Sequence, residues 1–150
     1  MRVVVQRVRH ASVTIDGTLK SKISNGLLIL LGVGLDDTKE DADWLIKKCI
    51  NLRVFDDSNG VMNCSVLEVD GEIMVVSQFT LMASYKKGNR PSYIHAAPPD
   101  HSIPLYEYFC EKISDELGKK VVTGEFGADM KVELLNDGPV TICMDTKHKE

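Results

Sequence analysis

The sequence predicts an α+β fold, namely a curved, largely antiparallel β-sheet or barrel with two α-helices packed against it. Segments typical of strands outnumber segments with helical spacing, and most of the connections between them carry hairpin signals such as Asp16-Gly17. Only two segments repeat their apolar residues at helical spacing. The 150 residues, 43% of them hydrophobic, suffice for one core, so we expect a single domain over residues 1–150.

Strand signals dominate the first third of the chain. Residues 2–8 alternate in part between apolar and polar side chains, and residues 11–15 follow with the same signal. The Asp16-Gly17 turn leads back into a strand over 19–23. Residues 27–33 are a continuous apolar run, which is typical of a central strand.

Two segments have the spacing of amphipathic helices. The first covers about 39–51 and follows the N-cap candidates of residues 36–38. The second covers 102–117, and Gly118 is placed to end it. The apolar stripe of the second helix consists of Tyr106, Phe109, Cys110, Ile113 and Leu117.

Shorter elements fill the middle of the chain. We expect a short strand over 52–55, a turn over 56–60, and a pair of strands flanking Asp70-Gly71, the second of which ends within residues 75–92. Residues 84–101 contain three prolines and are predicted to form an extended surface loop.

The last third carries three strand signals, over 120–124, 131–135 and 140–144. Asn136-Asp137-Gly138 predicts a turn between the last two strands, and Pro139 is placed to open an edge strand.

Composition and cysteine usage exclude several classes of protein. No apolar run approaches the length of a membrane span, and the start of the chain does not have the pattern of a signal peptide. The four cysteines and four histidines show no metal-ligand spacing, which predicts neither a metal site nor a cofactor and favours reduced thiols in the cytoplasm. The net charge of −4 argues against a general duplex binder, although a local contact with nucleic acid stays open.

Polar residues interrupt two apolar strands. The first interruption contains Ser77, Gln78 and Thr80 and is followed by the basic loop 86–90; the second covers 136–141. Taken singly, the first is typical of a strand end with a capping hydroxyl, the second of a tight turn, and the basic loop of a solvated surface. No triad, phosphate-binding loop or nucleotide fingerprint is present, so an enzyme of this sequence would not work through a side-chain triad or a metal.

Taken together, these stretches resemble the D-aminoacyl-tRNA deacylases. The resemblance covers essentially the whole chain and is carried by residues 1–8, 26–34, 77–81 (SQFTL), 89–92 (NRPS) and 136–141 (NDGPVT). The one difference near these motifs is conservative: Tyr93 stands where another aromatic residue, usually Phe, is expected.

The resemblance implies hydrolysis of the ester that joins a D-amino acid to the 3′-terminal adenosine of tRNA, in a homodimer with its active sites at the interface. It places the oxyanion donors at the backbone N–H groups of Phe79 and Thr80, with Ser77 and Gln78 supporting the loop and touching the terminal nucleotide. Thr80 is expected to position the substrate rather than to attack it, since the ribose 2′-hydroxyl of the substrate is thought to assist. The basic loop 86–90 would steer the anionic tRNA end.

The resemblance also implies how chirality is read. Gly138-Pro139, with a cis peptide bond, would enter the active site of the other subunit and exclude an L side chain by a clash. Arg7 is expected to hold this motif, and Phe126 and Met130 to line the amino-acid pocket. Glycine has no side chain to exclude, so glycyl-tRNA(Ala) is an expected second substrate.

Two alternatives stay open. One is a related deacylase that is thought to hold its Gly-Pro in trans and to remove L-alanine from the wrong tRNA; it resembles this chain less over 77–81. The other is a dimer that binds RNA ends without catalysis, which the absence of a triad or metal motif favours.

Overall fold

The computed structural model describes all 150 residues and contains eight strands, two α-helices and one 3₁₀ turn. The strands are β1 (Arg2–Ile15), β2 (Thr18–Ile23), β3 (Gly26–Gly32), β4 (Phe55–Asp56), β5 (Met62–Cys64), β6 (Glu72–Ser77), β7 (Val122–Thr123) and β8 (Met130–Asp145). The helices are α1 (Lys39–Asn51) and α2 (Pro99–Leu117), and the 3₁₀ turn is Phe79–Met82. The predicted α+β fold with two helices is confirmed.

Six of the strands form a nearly closed sheet in the order β2-β1-β3-β6-β7, with β8 paired to the long strand β1. Strand β1 pairs antiparallel with β2, β3 and β8, whereas β3–β6 and β6–β7 are parallel, so the sheet is mixed. The edge strands β2 and β7 approach each other, and Ser21 Oγ donates a hydrogen bond of 2.8 Å to the carbonyl oxygen of Thr123. β4 and β5 form a separate pair.

Strand β3 is buried on both faces, as its continuous apolar run predicts. Leu27, Ile29 and Leu31 belong to the larger core, which includes the buried faces of α1 and α2. Leu28 points the other way, into a smaller core inside the sheet with Met74 of β6. Burial on both faces is the usual setting of parallel pairing. Neither helix combines the length and apolarity needed to cross a membrane.

Local signals predicted several elements well. Helix α1 has the predicted bounds, and its start carries a capping box in which Thr38 N–H donates to Asp41 Oδ2 at 2.9 Å. The Asp16-Gly17 hairpin has the two positive φ angles, 48° and 76°, that a primed turn requires.

The predicted turn at 136–138 is wrong, because β8 runs through it without a break. Its pairing with β1 shifts register beside Val8, so the extra residues form an irregularity within the ladder. Asn136 makes this possible: its Nδ2 donates to the carbonyl oxygens of Arg7 (3.0 Å) and Val140 (2.9 Å). The predicted strands 2–8 and 11–15 likewise form one strand, β1.

Two further boundaries differ from the prediction. Helix α2 begins at Pro99, three residues before the predicted start, because proline suits the first helical position, where its missing N–H needs no partner. Residues 66–70 form turns and not the first of two strands around Asp70-Gly71, since the Glu68 carboxylate accepts from Ser65 N–H (2.6 Å) and Oγ (2.8 Å). The second of those strands is β6, which pairs with β3.

Candidate active site

The 3₁₀ turn that follows β6 is fixed at its start by the neighbouring strand. Gln78 N–H donates to the carbonyl oxygen of Leu31 at 2.7 Å, and the first hydrogen bond of the turn runs from Leu81 N–H to Gln78 O at 3.2 Å. The N–H groups of Phe79 and Thr80 lie before that bond, so no hydrogen bond of the turn uses them. The turn therefore presents two consecutive backbone donors at the end of a rigid strand.

Gly32 allows this turn to approach β3 closely. A Cβ atom at position 32 would lie 2.9 Å from the carbonyl oxygen of Gln78 and 3.0 Å from the Cβ of Leu81. Both distances are shorter than an ordinary contact, which begins at 3.4 Å. Glycine at this position thus sets how near the turn sits to the sheet.

A cavity of about 450 Å³ opens beside the turn and is lined mainly by apolar side chains. That volume lies in the range of small-molecule sites. Five residues named from the sequence line it, although they come from two distant parts of the chain: Ser77, Gln78, Phe79, Phe126 and Met130.

Tyr106 forms part of the cavity wall and was predicted only as a core residue of the α2 stripe. Its hydroxyl donates to the carbonyl oxygen of Val75 at 2.8 Å, and its ring meets the Phe126 ring edge-on at 5.9 Å. Burial, together with Cys110, raises the pKa of Tyr106, so the phenol stays protonated at neutral pH. Ser102 also lines the cavity. The one sequence signal for Tyr106 is a hydroxyl within an otherwise apolar stripe.

Phe79 lies at the cavity mouth and is 56% exposed. Its ring packs edge-on against that of Tyr93, with 5.0 Å between the ring centroids. The Thr80 side chain faces away from the cavity, towards a neighbouring groove. The Thr80 hydroxyl accepts a short hydrogen bond from the Gln78 amide. An amide donor does not activate a hydroxyl as a nucleophile, which requires a base.

Arg7, Gly138 and Pro139 form a second group, away from the cavity of their own chain. The buried Arg7 guanidinium donates from Nε to the carbonyl oxygen of Asp137 (3.1 Å) and from Nη1 to that of Val54 (2.5 Å). The Gly138-Pro139 peptide bond is cis, and Gly138 has a φ of +122°. A Cβ at position 138 would lie 2.9 Å from Arg7 Nη2. Gly138 and Pro139 are both exposed.

The structure thus places the nine candidate residues in two groups. Five line the cavity, Thr80 lies in the 3₁₀ turn itself, and the remaining three lie together on β1 and β8, where Arg7 is buried and Gly138 and Pro139 are exposed. Neither Gly138 nor Pro139 lines the cavity of its own chain.

Several known proteins have sequences closely similar to this chain. The family model described as D-Tyr-tRNA(Tyr) deacylase matches residues 4–145. Proteins named D-aminoacyl-tRNA deacylase from Phocaeicola vulgatus, Bacteroides fragilis and Flavobacterium johnsoniae are 71%, 70% and 62% identical over 150 residues, with complete coverage of both chains.

Solved structures agree in fold. One described as a c-Myc DNA unwinding element binding protein is 41% identical, with a TM-score of 0.90 over 97% of this chain and 98% of its own. Another, described as a probable eukaryotic D-amino acid tRNA deacylase, is 16% identical, with a TM-score of 0.82 over 95% and 97%, and supports the fold alone. With the match to residues 4–145 and the full-length relatives, the chain belongs to the D-Tyr-tRNA(Tyr) deacylase family, as its sequence motifs predicted.

Proposed function

We propose that residues 1–150 form one deacylase domain that hydrolyses the ester between a D-amino acid and the 3′-terminal adenosine of tRNA and spares the L ester. Hydrolase activity of the D-aminoacyl-tRNA deacylase type follows from family membership. The observation that carries the site assignment is the 79–82 turn, whose first two N–H groups are used by no hydrogen bond of the turn and whose first residue, Phe79, lies at the mouth of an apolar cavity.

Backbone donors supply the catalysis in this proposal. An aminoacyl ester is already activated, so its hydrolysis needs a water molecule placed against the carbonyl carbon and donors for the oxyanion that develops. The N–H groups of Phe79 and Thr80 are those donors. The ribose 2′-hydroxyl of the substrate assists, the ester C–O bond breaks, and the products are the free D-amino acid and the tRNA hydroxyl. Loss of one such donor in other enzymes costs about 100- to 1,000-fold in rate.

The cavity takes the amino-acid side chain in this proposal. Phe126 and Met130 line it together with Ser77 and Gln78, which precede the turn, and this lining is consistent with an apolar pocket beside a polar edge. Ser77 and Gln78 support the loop and contact the terminal nucleotide. No charged side chain of the cavity is needed to read the amino acid, so a broad choice of D side chains is expected.

Chirality is read by a second copy of the chain. Gly138 and Pro139 are exposed and lie outside their own cavity, which supports a homodimer in which this edge enters the neighbouring active site. Their carbonyl oxygens accept from the substrate ammonium group and leave no room for an L side chain. The Arg7 guanidinium donates a hydrogen bond to the carbonyl oxygen of Asp137 and so holds the Gly138-Pro139 segment in place. Glycine passes the filter, so glycyl-tRNA(Ala) is a second substrate.

The homodimer is tested by light scattering of the purified chain, with a mass of twice 16.7 kDa as the expected result. A monomer that is fully active and stereospecific would contradict the filter.

The proposed location is the cytoplasm, where aminoacyl-tRNA is used; the four cysteines, all of them free, are consistent with it.

The deciding experiment follows deacylation of D-Tyr-tRNA, L-Tyr-tRNA and Gly-tRNA(Ala) with EDTA present. Cleavage of the D and glycyl esters, with the L ester spared, supports the proposal. Equal cleavage of both tyrosyl esters would refute the filter. Cleavage of L-Ala-tRNA alone would indicate the related L-alanine editing activity, and binding without turnover would indicate an RNA-end-binding dimer.

A further inference from the structure

The 3₁₀ turn is followed by a small hairpin that the proposed chemistry does not use. Ser84 and Ser92 close its base with two backbone hydrogen bonds of 2.8 Å each. All five residues of its tip, 86–90, are exposed. The hairpin begins two residues after the turn that ends at Met82, so its base lies next to the candidate active site in the chain.

The hairpin is a local concentration of positive charge in an acidic chain. Its tip carries Lys86, Lys87 and Arg90, and no Asp or Glu occurs between Glu72 and Asp100. None of the three cations takes part in an ion pair of the chain. Since the net charge is −4, this segment differs in sign from the molecule as a whole. Three unneutralised cations on one tip are suited to an anionic partner.

Exposed aromatic rings accompany the charges. Tyr85, at the first position after the hairpin base, is 79% exposed, and Tyr93, which follows the base on the other side, is 39% exposed. Tyr93 contacts Phe79 at the cavity mouth, so aromatic surface runs from the cavity to the hairpin. Cations interleaved with exposed aromatic rings are the combination that binds single-stranded nucleic acid, because phosphates pair with the cations and bases stack on the rings.

We propose that the 84–92 hairpin binds the unpaired 3′ segment of the tRNA, upstream of the terminal adenosine. This proposal rests on the proposed function and extends it to a second contact site. Lys86, Lys87 and Arg90 contact phosphates, and Tyr85 and Tyr93 provide stacking surfaces. Contacts to phosphates do not read the base sequence, so the hairpin should bind different tRNAs with similar affinity.

The test is equilibrium binding of uncharged tRNA, which requires no turnover. The hairpin variant carries Lys86→Ala, Lys87→Ala and Arg90→Ala together. The matched control carries Lys22→Ala, Lys47→Ala and Lys120→Ala, three exposed lysines without ion pairs, so that the change in net charge is the same. Each protein is titrated with intact tRNA and with tRNA trimmed of its unpaired 3′ nucleotides, over a range of salt concentrations.

Three lost phosphate contacts on a single strand lower the salt slope of log K by about 2 and weaken binding about 50-fold near 0.15 M salt. The proposal expects this loss in the hairpin variant and wild-type binding in the control. Trimming the tRNA should weaken binding by the unmodified protein by a larger factor than binding by the hairpin variant, which keeps only the contact with the terminal nucleotide. Equal binding of the hairpin variant and the unmodified protein, equal loss in the control, or indifference to trimming would overturn the hairpin proposal.

A kinetic comparison separates this proposal from the proposed function. D-Tyrosyl-adenosine carries the ester but no phosphate. The hairpin variant should cleave it at the unmodified rate while losing kcat/KM for D-Tyr-tRNA. Loss of both activities would make the hairpin part of the catalytic site and overturn its assignment as an RNA contact. An unmodified protein that binds tRNA through the hairpin but cleaves neither ester would overturn the deacylase proposal alone.

Discussion

Gly32→Ala is the substitution that most sharply separates the position of the catalytic turn from the stability of the fold. The added methyl group meets the carbonyl oxygen of Gln78 at 2.9 Å and the Cβ of Leu81 at 3.0 Å. Ordinary contact begins at 3.4 Å, so the turn must move away from β3 by several tenths of an ångström. That movement displaces the N–H groups of Phe79 and Thr80 directly.

The expected cost in activity exceeds the expected cost in stability. A misplacement of about 1 Å can cost about 100-fold in rate, so a shift of several tenths of an ångström in the oxyanion donors should lower kcat/KM for D-Tyr-tRNA by about tenfold or more. Overpacking of one methyl group costs about 1–3 kcal/mol of unfolding free energy. For a chain of this length each 1 kcal/mol lowers the melting temperature by about 2–4 °C. The variant should therefore be folded at 25 °C and at least about tenfold less active.

Gly71→Ala is the matched control. A Cβ at position 71 would also be too close to a neighbour, at 2.8 Å from Val66 Cγ2, but that neighbour is a side chain outside the 79–82 turn. The assay is kcat/KM for D-Tyr-tRNA beside thermal unfolding of both variants. We expect Gly71→Ala to lose stability and keep its activity. A fully active Gly32→Ala, or an equal loss of activity in both variants, would refute the assignment of catalysis to the turn.

Three further predictions concern the rest of the molecule. Arg7→Met removes the donors of one buried and one part-buried carbonyl oxygen and should lower the unfolding free energy in urea by about 3 kcal/mol, against less than about 1 kcal/mol for Arg9→Met, whose side chain is 63% exposed; equal losses would contradict the structural role of Arg7. Burial raises the pKa of Asp41, but side-chain and backbone hydrogen bonds together lower it by more, so the net pKa lies below its usual value. The contribution of Asp41 to the free energy of unfolding is therefore fully present above about pH 4 and is lost as pH falls. The difference in urea midpoint between the unmodified protein and Asp41→Asn should vanish in acid, and a difference that stays constant with pH would contradict this prediction. Burial raises the pKa of Cys49 and of Cys110 to about 12, so both should escape alkylation at pH 8 until the protein is unfolded, and rapid labelling of either in the folded protein would count against their buried environment.

The parts of the fold that the sequence predicted are those with local causes. Helix α1 carries its own capping box and apolar stripe, and the Asp16-Gly17 turn is dictated by residues that accept positive φ angles. These signals act within a few residues of the chain. They therefore identify an element whatever surrounds it.

The parts that were missed depend on distant contacts. Asn136-Asp137-Gly138 has the composition of a turn, but the Asn136 amide bonds to Arg7 O and Arg7 donates back to Asp137 O, which keeps the segment within a strand. These hydrogen bonds join residue 7 to residues 136 and 137, near opposite ends of the chain. Local sequence propensities cannot predict a contact between residues so far apart.

The candidate site shows the same division. The polar residues at the end of β6 indicated 77–80 as a candidate site from the sequence alone. Phe126 and Met130 were named only through the resemblance, because no spacing relates them to Ser77. Tyr106 was missed as a cavity residue, since its stripe predicts burial but does not say which buried residues face a cavity.

The central claim is that backbone N–H groups of the 79–82 turn, and not a side chain, carry the catalysis. Thr80→Val tests it most directly, because valine keeps the N–H group and removes the hydroxyl that Gln78 contacts. Single-turnover deacylation of D-Tyr-tRNA by Thr80→Val should stay within about tenfold of the unmodified rate, which is below the loss of one oxyanion donor. A loss of about 10,000-fold, together with an acyl-threonine trapped on the unmodified protein, would show that Thr80 is the nucleophile and contradict the claim.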